Sequence, residues 1–294
     1  MIEIIHVSGF SDEISSDFIE QLEHVTKLGM SYISIRGVDK RNINDYTIEE
    51  INDYVKPTLE KYKVSISSIG SPIGKVFIDD EEGFIKQKED LHRLCEIANI
   101  LGTKYIRIFS FYIPKDEEAD AYRDNVISKL KEYVTIAAKY DVILLHENEK
   151  DIFGDTDVRC LEILKGVNSS YFKAIFDFAN FVQVNVETLP AYKLLESEIV
   201  YIHIKDAVFD LNENVLCGTG DGNIKEILKD LISRGYQGFL TLEPHLVMFD
   251  SLQDLELEAA EDVIKADKAK DGAEGYQMQY DALLEILKEI EGEI

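Results

Sequence analysis

Basic residues are scarce in this chain. Its 294 residues carry 31 Lys and Arg against 57 Asp and Glu, a formal charge of −26, and such a surface repels phosphate backbones. Nucleic acid is therefore not an expected partner, whereas a small sugar, neutral or singly phosphorylated, is acceptable. Cysteine is scarce too. Cys95, Cys160 and Cys217 are odd in number, far apart and free of any Cys-x-x-Cys spacing, which removes a zinc knuckle or redox pair and leaves buried free thiols as the expectation. No apolar run approaches the roughly 18 residues of a membrane span. The opening Met1-Ile2-Glu3-Ile4-Ile5-His6 lacks a basic region followed by a long apolar stretch, so a soluble, cytoplasmic protein without a membrane partner is expected. A Gly-x-Gly-x-x-Gly motif is missing after the first apolar strand, which weakens a dinucleotide-binding reading.

What the chain has is alternation. Strand-like runs fall near residues 3–8, 31–36, 64–69, 103–109, 142–147, 172–177, 199–204 and 238–243. Amphipathic stretches follow near 16–28, 47–62, 84–101, 117–140, 157–166, 186–197, 223–234 and 276–291. Eight such units favour an α/β fold of the (β/α)8 TIM-barrel type, a closed parallel sheet with outer helices. Residues 1–294 then form one domain, with a charged insertion at about 250–275 before the last helix. A solvated charged helix is the plain expectation for that insertion; a lid or a homo-oligomer contact is the alternative.

Four of the runs end on a metal-ligand type: Glu147 in Leu144-Leu145-His146-Glu147, Asp177 in Ala174-Ile175-Phe176-Asp177, His203 in Val200-Tyr201-Ile202-His203, and Glu243 in Leu240-Thr241-Leu242-Glu243. Barrel active sites lie at the C-terminal strand ends, and neighbouring strands are about 4.8 Å apart. Glu147, Asp177, His203 and Glu243 can therefore converge on one divalent cation. A single carboxylate at a strand end is usually a helix cap or a surface charge; four in succession argue otherwise. Oxygen-rich ligation suits Mn²⁺, Mg²⁺ or Co²⁺ better than a structural zinc, with Mn²⁺ the first choice. An ion flanked by two glutamates suits proton transfer next to a carbonyl, giving isomerisation or epimerisation through an enediolate.

The run Tyr201-Ile202-His203-Ile204-Lys205-Asp206, the turn Glu243-Pro244-His245, the step Asp177-x-x-Asn180 and the loop Gly218-Thr219-Gly220-Asp221-Gly222 together resemble the xylose isomerase-like TIM barrels, the sugar phosphate isomerase/epimerase superfamily. The resemblance extends over residues 1 to about 250. It implies one Mn²⁺, Mg²⁺, Co²⁺ or Zn²⁺ on the Glu, Asp, His, Glu set, with Glu147 and Glu243 as the catalytic acid/base pair and a small carbohydrate as substrate. Ketohexose 3-epimerases of the family carry a histidine where this chain has Asn180 and an arginine where it has Phe209, which points away from that branch. Endonuclease IV shares the barrel but places zinc-binding histidines at earlier strand ends. Here those ends read Ile35-Arg36-Gly37, Ile69-Gly70-Ser71 and Ile108-Phe109-Ser110, so DNA repair is set aside.

The other rim residues are candidates for substrate contact. Arg36 offers a planar fork for a carboxylate or phosphate, with an ion pair to a neighbouring acid as its alternative. Lys75 sits in a loop, and Arg107 on strand 4 is read as paired inside the barrel. Asn180, Lys205, Asp206 and His245 complete the substrate-binding set; Asp206 can orient a ligand or Lys205, and for His245 a ligand, contact or cap role is open. His146 should point away from the ion, toward the helices. The loop 218–222 can receive a phosphate, although Asp221 as a helix cap is the preferred reading. His6 and Phe10-Ser11-Asp12-Glu13 receive no firm chemical role, with Asp12 as the N-cap of the first helix the plain alternative. Two rivals remain, a keto-inositol-type dehydratase and a barrel that binds sugar without turning it over.

Overall fold

The computed structural model describes residues 5–209, 213–250, 252, 264 and 266–293. Its eight strands are β1 (His6–Gly9), β2 (Tyr32–Ile35), β3 (Ser65–Gly70), β4 (Tyr105–Ile108), β5 (Ile143–Glu147), β6 (Phe172–Asp177), β7 (Ile199–Ile204) and β8 (Phe239–Leu242). All pair in parallel, in the order β1-β8-β7-β6-β5-β4-β3-β2. A bridge between Phe10 and Ser34 joins the two ends of that order. The sheet thus curls into the expected (β/α)8 TIM barrel.

Side chains alternate across each strand, so every second residue faces the helices. Ile33, Ile106, Leu144, Phe176, Ile202 and Leu240 do so and join the main apolar core. The covering helices are α1 (Phe18–Lys27), α2 (Lys56–Tyr62), α3 (Glu81–Leu101), α4 (Arg123–Ala138), α5 (Asp157–Val167), α6 (Phe178–Gln183), α7 (Thr188–Leu195), α8 (Ile224–Ser233) and α9 (Gly272–Glu293). The inward residues tell another story. Leu145, Ile175 and Tyr201 form a small separate cluster. Above it the inward positions turn polar, with the Tyr201 hydroxyl bonded to Ser67, Ser68 and Thr241 at 2.9, 3.0 and 2.7 Å. Site residues therefore stand on a hydrogen-bonded floor.

Several local details differ from expectation. Asp17 rather than Asp12 caps α1, accepting from the Glu20 N–H at 3.0 Å. The helix expected over 47–62 holds a π-turn at Ile51–Val55, where the Lys56 N–H reaches back to the Ile51 carbonyl. Pro57 follows directly; it has no N–H, and its ring crowds the carbonyl four residues back, which favours the wider turn. Short two-stranded ribbons at Gly37–Val38 with Arg41–Asn42, and Asp206–Val208 with Glu213–Val215, extend the loops after β2 and β7. The charged insertion near 250–275 lies largely outside the described residues, as do the first residues of the strand expected at 3–8. Cys95, Cys160 and Cys217 are free and buried, as expected. Among the described residues no helix is long and apolar enough to cross a membrane.

Candidate metal centre

Glu147, Asp177, His203 and Glu243 converge at the C-terminal mouth, each offering a ligand atom within 4.8 Å of the others, all buried. His203 Nδ1 is the hub: it stands 2.6 Å from Glu147 Oε1, 3.4 Å from Glu243 Oε2 and 3.9 Å from Asp177 Oδ2. Strand register brings them together. Asp177 pairs with His203 across β6 and β7, and the Glu243 N–H extends the β8 ladder onto the Ile204 carbonyl at 3.2 Å. Asp177 divides its two oxygens. Oδ1 caps α6 by accepting from the Asn180 N–H at 2.8 Å, while the buried Oδ2 has no hydrogen-bond partner. Asn148 pins this corner, its amide exchanging two 3.0 Å bonds with the Asp177 backbone.

Three carboxylates around one imidazole nitrogen favour positive charge at their centre, a proton or a divalent ion. Burial works against the charge on His203, yet Glu147 and Glu243 outweigh it and raise the imidazole to about 9. Burial also opposes ionisation of Glu147, but His203 and Arg107 hold it down at about 2. Asp177 and Glu13 go the other way: burial pushes them up to about 7 and about 8.

Cations surround the cluster. Arg107 Nη1 lies 3.1 Å from Glu147 Oε2, and Lys205 Nζ stands 3.5 Å from both Asp177 and Glu243. Arg36, 1% exposed, binds Asp12 through Nε at 2.8 Å, Glu243 through Nη1 at 3.0 Å and Glu13 through Nη2 at 3.4 Å. Phe10 lies beneath, 4.3 Å from the Arg36 guanidinium, 5.1 Å from that of Arg107 and edge-on to His203. Gly70 makes this stack feasible, since a Cβ there would meet the Phe10 ring at 2.5 Å. Among the described residues, Arg36, Arg107 and Lys205 thus each stand against at least one of the buried carboxylates of Asp12, Glu13, Glu147, Asp177 and Glu243. Glu147, Asp177, His203 and Glu243 lie close enough together that their ligand atoms could hold a divalent ion.

The remaining candidates divide. Lys205 stands within the cluster. Arg36 adopts the ion-pair arrangement, with all three nitrogens turned to protein carboxylates. Lys75 sits at the rim, 3.6 Å from Glu149 and over the Phe109 ring. His245 is buried beside the site with a left-handed backbone at φ 47, its N–H donating to Glu13 Oε2 at 2.8 Å. Asn180 and Asp206 are turned elsewhere: the Asn180 amide binds the Asn148 carbonyl at 2.8 Å, and Asp206 is enclosed by backbone amides of the glycine loop. His146 faces the helical layer as expected, bonded to Ser110 at 3.0 Å. Asp221 does not cap α8, whose N-cap is Asn223; its carboxylate accepts from the Phe209 N–H at 2.9 Å instead. Sequence reasoning gave no role to Phe10, Glu13 or Asn148. The acidic pair Asp12-Glu13 directly after β1 was the available signal, since a strand-end acid on one strand invites a partner like Arg36 on the next.

A profile of the xylose isomerase-like TIM barrel family matches residues 22–267. The chain belongs to that family. Among curated members it is 25% identical over 199 residues to a probable L-ribulose-5-phosphate 3-epimerase of Mycoplasma pneumoniae, covering 67% of this chain and 62% of that one. It is 22% identical over 241 residues to an inosose isomerase of Halalkalibacterium halodurans, covering 78% and 83%. The match thus spans less than two thirds of the first relative's length. A D-tagatose 3-epimerase-like protein superposes with a TM-score of 0.71 at 19% identity, covering 97% of this chain and 99% of the other. At that identity the superposition speaks for the fold, and the xylose isomerase-like barrel is the fold seen here.

Proposed function

We propose that this xylose isomerase-like barrel is a metal-dependent isomerase or epimerase of a small polyhydroxy carbonyl compound. The observation that carries the reading is the buried cluster of Glu147, Asp177, His203 and Glu243, each with a ligand atom within 4.8 Å of the others. Glu147, Asp177, His203 and Glu243 would hold the ion, with Mn²⁺ the first choice and Mg²⁺ or Co²⁺ compatible with the same donors. When bound, such an ion polarises a carbonyl and its neighbouring hydroxyl.

The protein residues handle the protons. Glu147 is kept ionised by His203 and Arg107, and Glu243 is held well below the usual carboxylate range by Lys205 and His203 against the effect of burial. Each is therefore ionised, the state that a proton acceptor requires. One glutamate serving two adjacent carbons gives isomerisation; two serving opposite faces of one carbon give epimerisation. Lys205 can move from the carboxylates to donate to a substrate oxygen. That ammonium also favours a second reading, a dehydratase, because a cation beside Glu243 can protonate a departing hydroxyl. Product mass separates the two.

The direct test is solvent deuterium exchange into ketoses and inosones by NMR, with the Mn²⁺-loaded protein. The reading requires metal-dependent exchange at a carbon next to the carbonyl, lost on chelation; a panel with no exchange would remove the enzyme assignment and leave a sugar-binding barrel.

A further inference from the structure

Each of the three carboxylates in the cluster divides its oxygens between an outer donor and the centre. Glu147 Oε2 accepts from Arg107 Nη1 at 3.1 Å, while Oε1 stands 2.6 Å from His203 Nδ1. Glu243 Oε1 accepts from Arg36 Nη1 at 3.0 Å, while Oε2 stands 3.4 Å from the same nitrogen. Asp177 Oδ1 accepts from the Asn180 N–H at 2.8 Å, and Oδ2 stands 3.9 Å from that nitrogen. The outer donors are buried and fixed in turn. Arg107 lies over Phe109 at 4.7 Å and Phe10 at 5.1 Å, Arg36 is bound to Asp12 through Nε at 2.8 Å, and the Asn180 side chain is tied to the Asn148 carbonyl at 2.8 Å.

A carboxylate that swung its outer oxygen inward would leave a buried donor without an acceptor, which is costly. Lys205, 3.5 Å from the inward oxygens of Asp177 and Glu243, is not one of these outer clamps and can still move to a substrate. We propose that the clamps hold Glu147, Asp177 and Glu243 as one-oxygen ligands and thereby select an ion of the Mn²⁺ or Mg²⁺ kind against Ca²⁺. Ca²⁺ takes about six to eight oxygens, often through both oxygens of a carboxylate. Here it would lose those contacts, and the His203 nitrogen suits it poorly as well. The inference rests on the metal-dependent reading of the cluster and adds to it which ion the surrounding side chains admit.

The test uses the ions alone on the full chain. Mn²⁺ binding is read from the EPR signal of the free ion, and Ca²⁺ binding from its displacement of Mn²⁺. The parent should prefer Mn²⁺ by at least about tenfold, and a crystal structure of the Mn²⁺-loaded protein should show one oxygen each from Glu147, Asp177 and Glu243. Arg107→Met removes the donor on Glu147 Oε2 and lets that carboxylate turn both oxygens to the ion. It should raise Ca²⁺ affinity relative to Mn²⁺ by about tenfold, the scale on which partners of metal ligands act; Arg107→Lys keeps a donor and should stay near the parent ratio. Both ions carry two charges, so loss of the guanidinium charge by itself shifts both affinities together and leaves the ratio alone. If Arg107→Met does not fold, the crystal structure and the parent ratio still decide. A carboxylate binding through both oxygens, equal affinity for Ca²⁺ and Mn²⁺ in the parent, or a ratio unmoved in folded Arg107→Met each overturns the proposal and leaves the metal centre standing. A parent that binds no Mn²⁺ overturns the metal-dependent reading, and the proposal with it.

Discussion

Glu147 and Glu243 share a histidine but are held by different cations, and that difference shapes how each responds to mutation. Glu147→Gln keeps a ligand oxygen but loses the charge opposite Arg107 and His203, and Glu243→Gln does the same opposite Arg36 and Lys205. Each variant should lower turnover by more than about a hundredfold, the usual scale for a lost general acid or base. Metal content measured alongside the rate tells loss of the proton carrier from loss of the ion, and near-normal turnover in either variant would remove its role. Arg36 behaves differently. Lysine at this position keeps the charge but cannot face Asp12, Glu13 and Glu243 together, so Arg36→Lys should cost about 2 kcal/mol of stability. Urea denaturation checks it; an unchanged midpoint with weakened sugar binding would restore the clamp role.

At the scale of elements, the loop carrying Gly218, Gly220 and Gly222 is organised by one buried carboxylate. Asp206→Ala would leave four backbone N–H groups without their acceptor. Those of Ala207 and Gly222 are buried, and each buried orphan costs about 1–3 kcal/mol, whereas Gly218 and Gly220 lie nearer to solvent, so a loss of about 2 kcal/mol or more is expected in chemical denaturation. Asp206→Asn keeps an oxygen and should lose less; equal losses would show that the amides do not depend on the charge. Strand and helix positions were legible because apolar periodicity is a local signal, and the ranges found for β2 through β8 fall close to those read from the sequence. The cap preferred for Asp221 and the cap offered as the alternative for Asp12 both fail for a physical reason. Each could cap a nearby helix, but a buried guanidinium claimed Asp12 and the Phe209 N–H claimed Asp221.

For the whole molecule, an ion held by the proposed ligands at the buried centre would couple metal binding to stability. A ligand that binds only the folded state stabilises it by about 2.7 kcal/mol at a hundredfold excess over Kd. Mn²⁺ should therefore raise the melting temperature of the parent, with reversal by EDTA, and should raise that of His203→Ala far less. Elemental analysis after dialysis should find about one ion per parent chain; equal content in the His203→Ala protein would displace the ligand assignment. The net charge of −26 adds a second expectation. Self-repulsion is screened as the Debye length shrinks to about 10 Å at 0.1 M salt, so melting temperature should rise between low and moderate NaCl, and a fall would locate the dominant electrostatics in surface ion pairs.

The sequence by itself determined the barrel, the four metal-ligand candidates and the outward turn of His146, because strand alternation and the position of a residue at a strand end are local properties of the chain. Only the tertiary structure decided which charges answer one another. Arg36 lies 24 residues from Asp12 and 207 from Glu243 in sequence, yet closure of the barrel sets all three around one guanidinium. The same closure brings Phe10 under Arg36 and Arg107 and folds the glycine loop over Asp206. Pairing of buried charges depends on distances across the barrel, and periodicity along the chain carries no information about those distances.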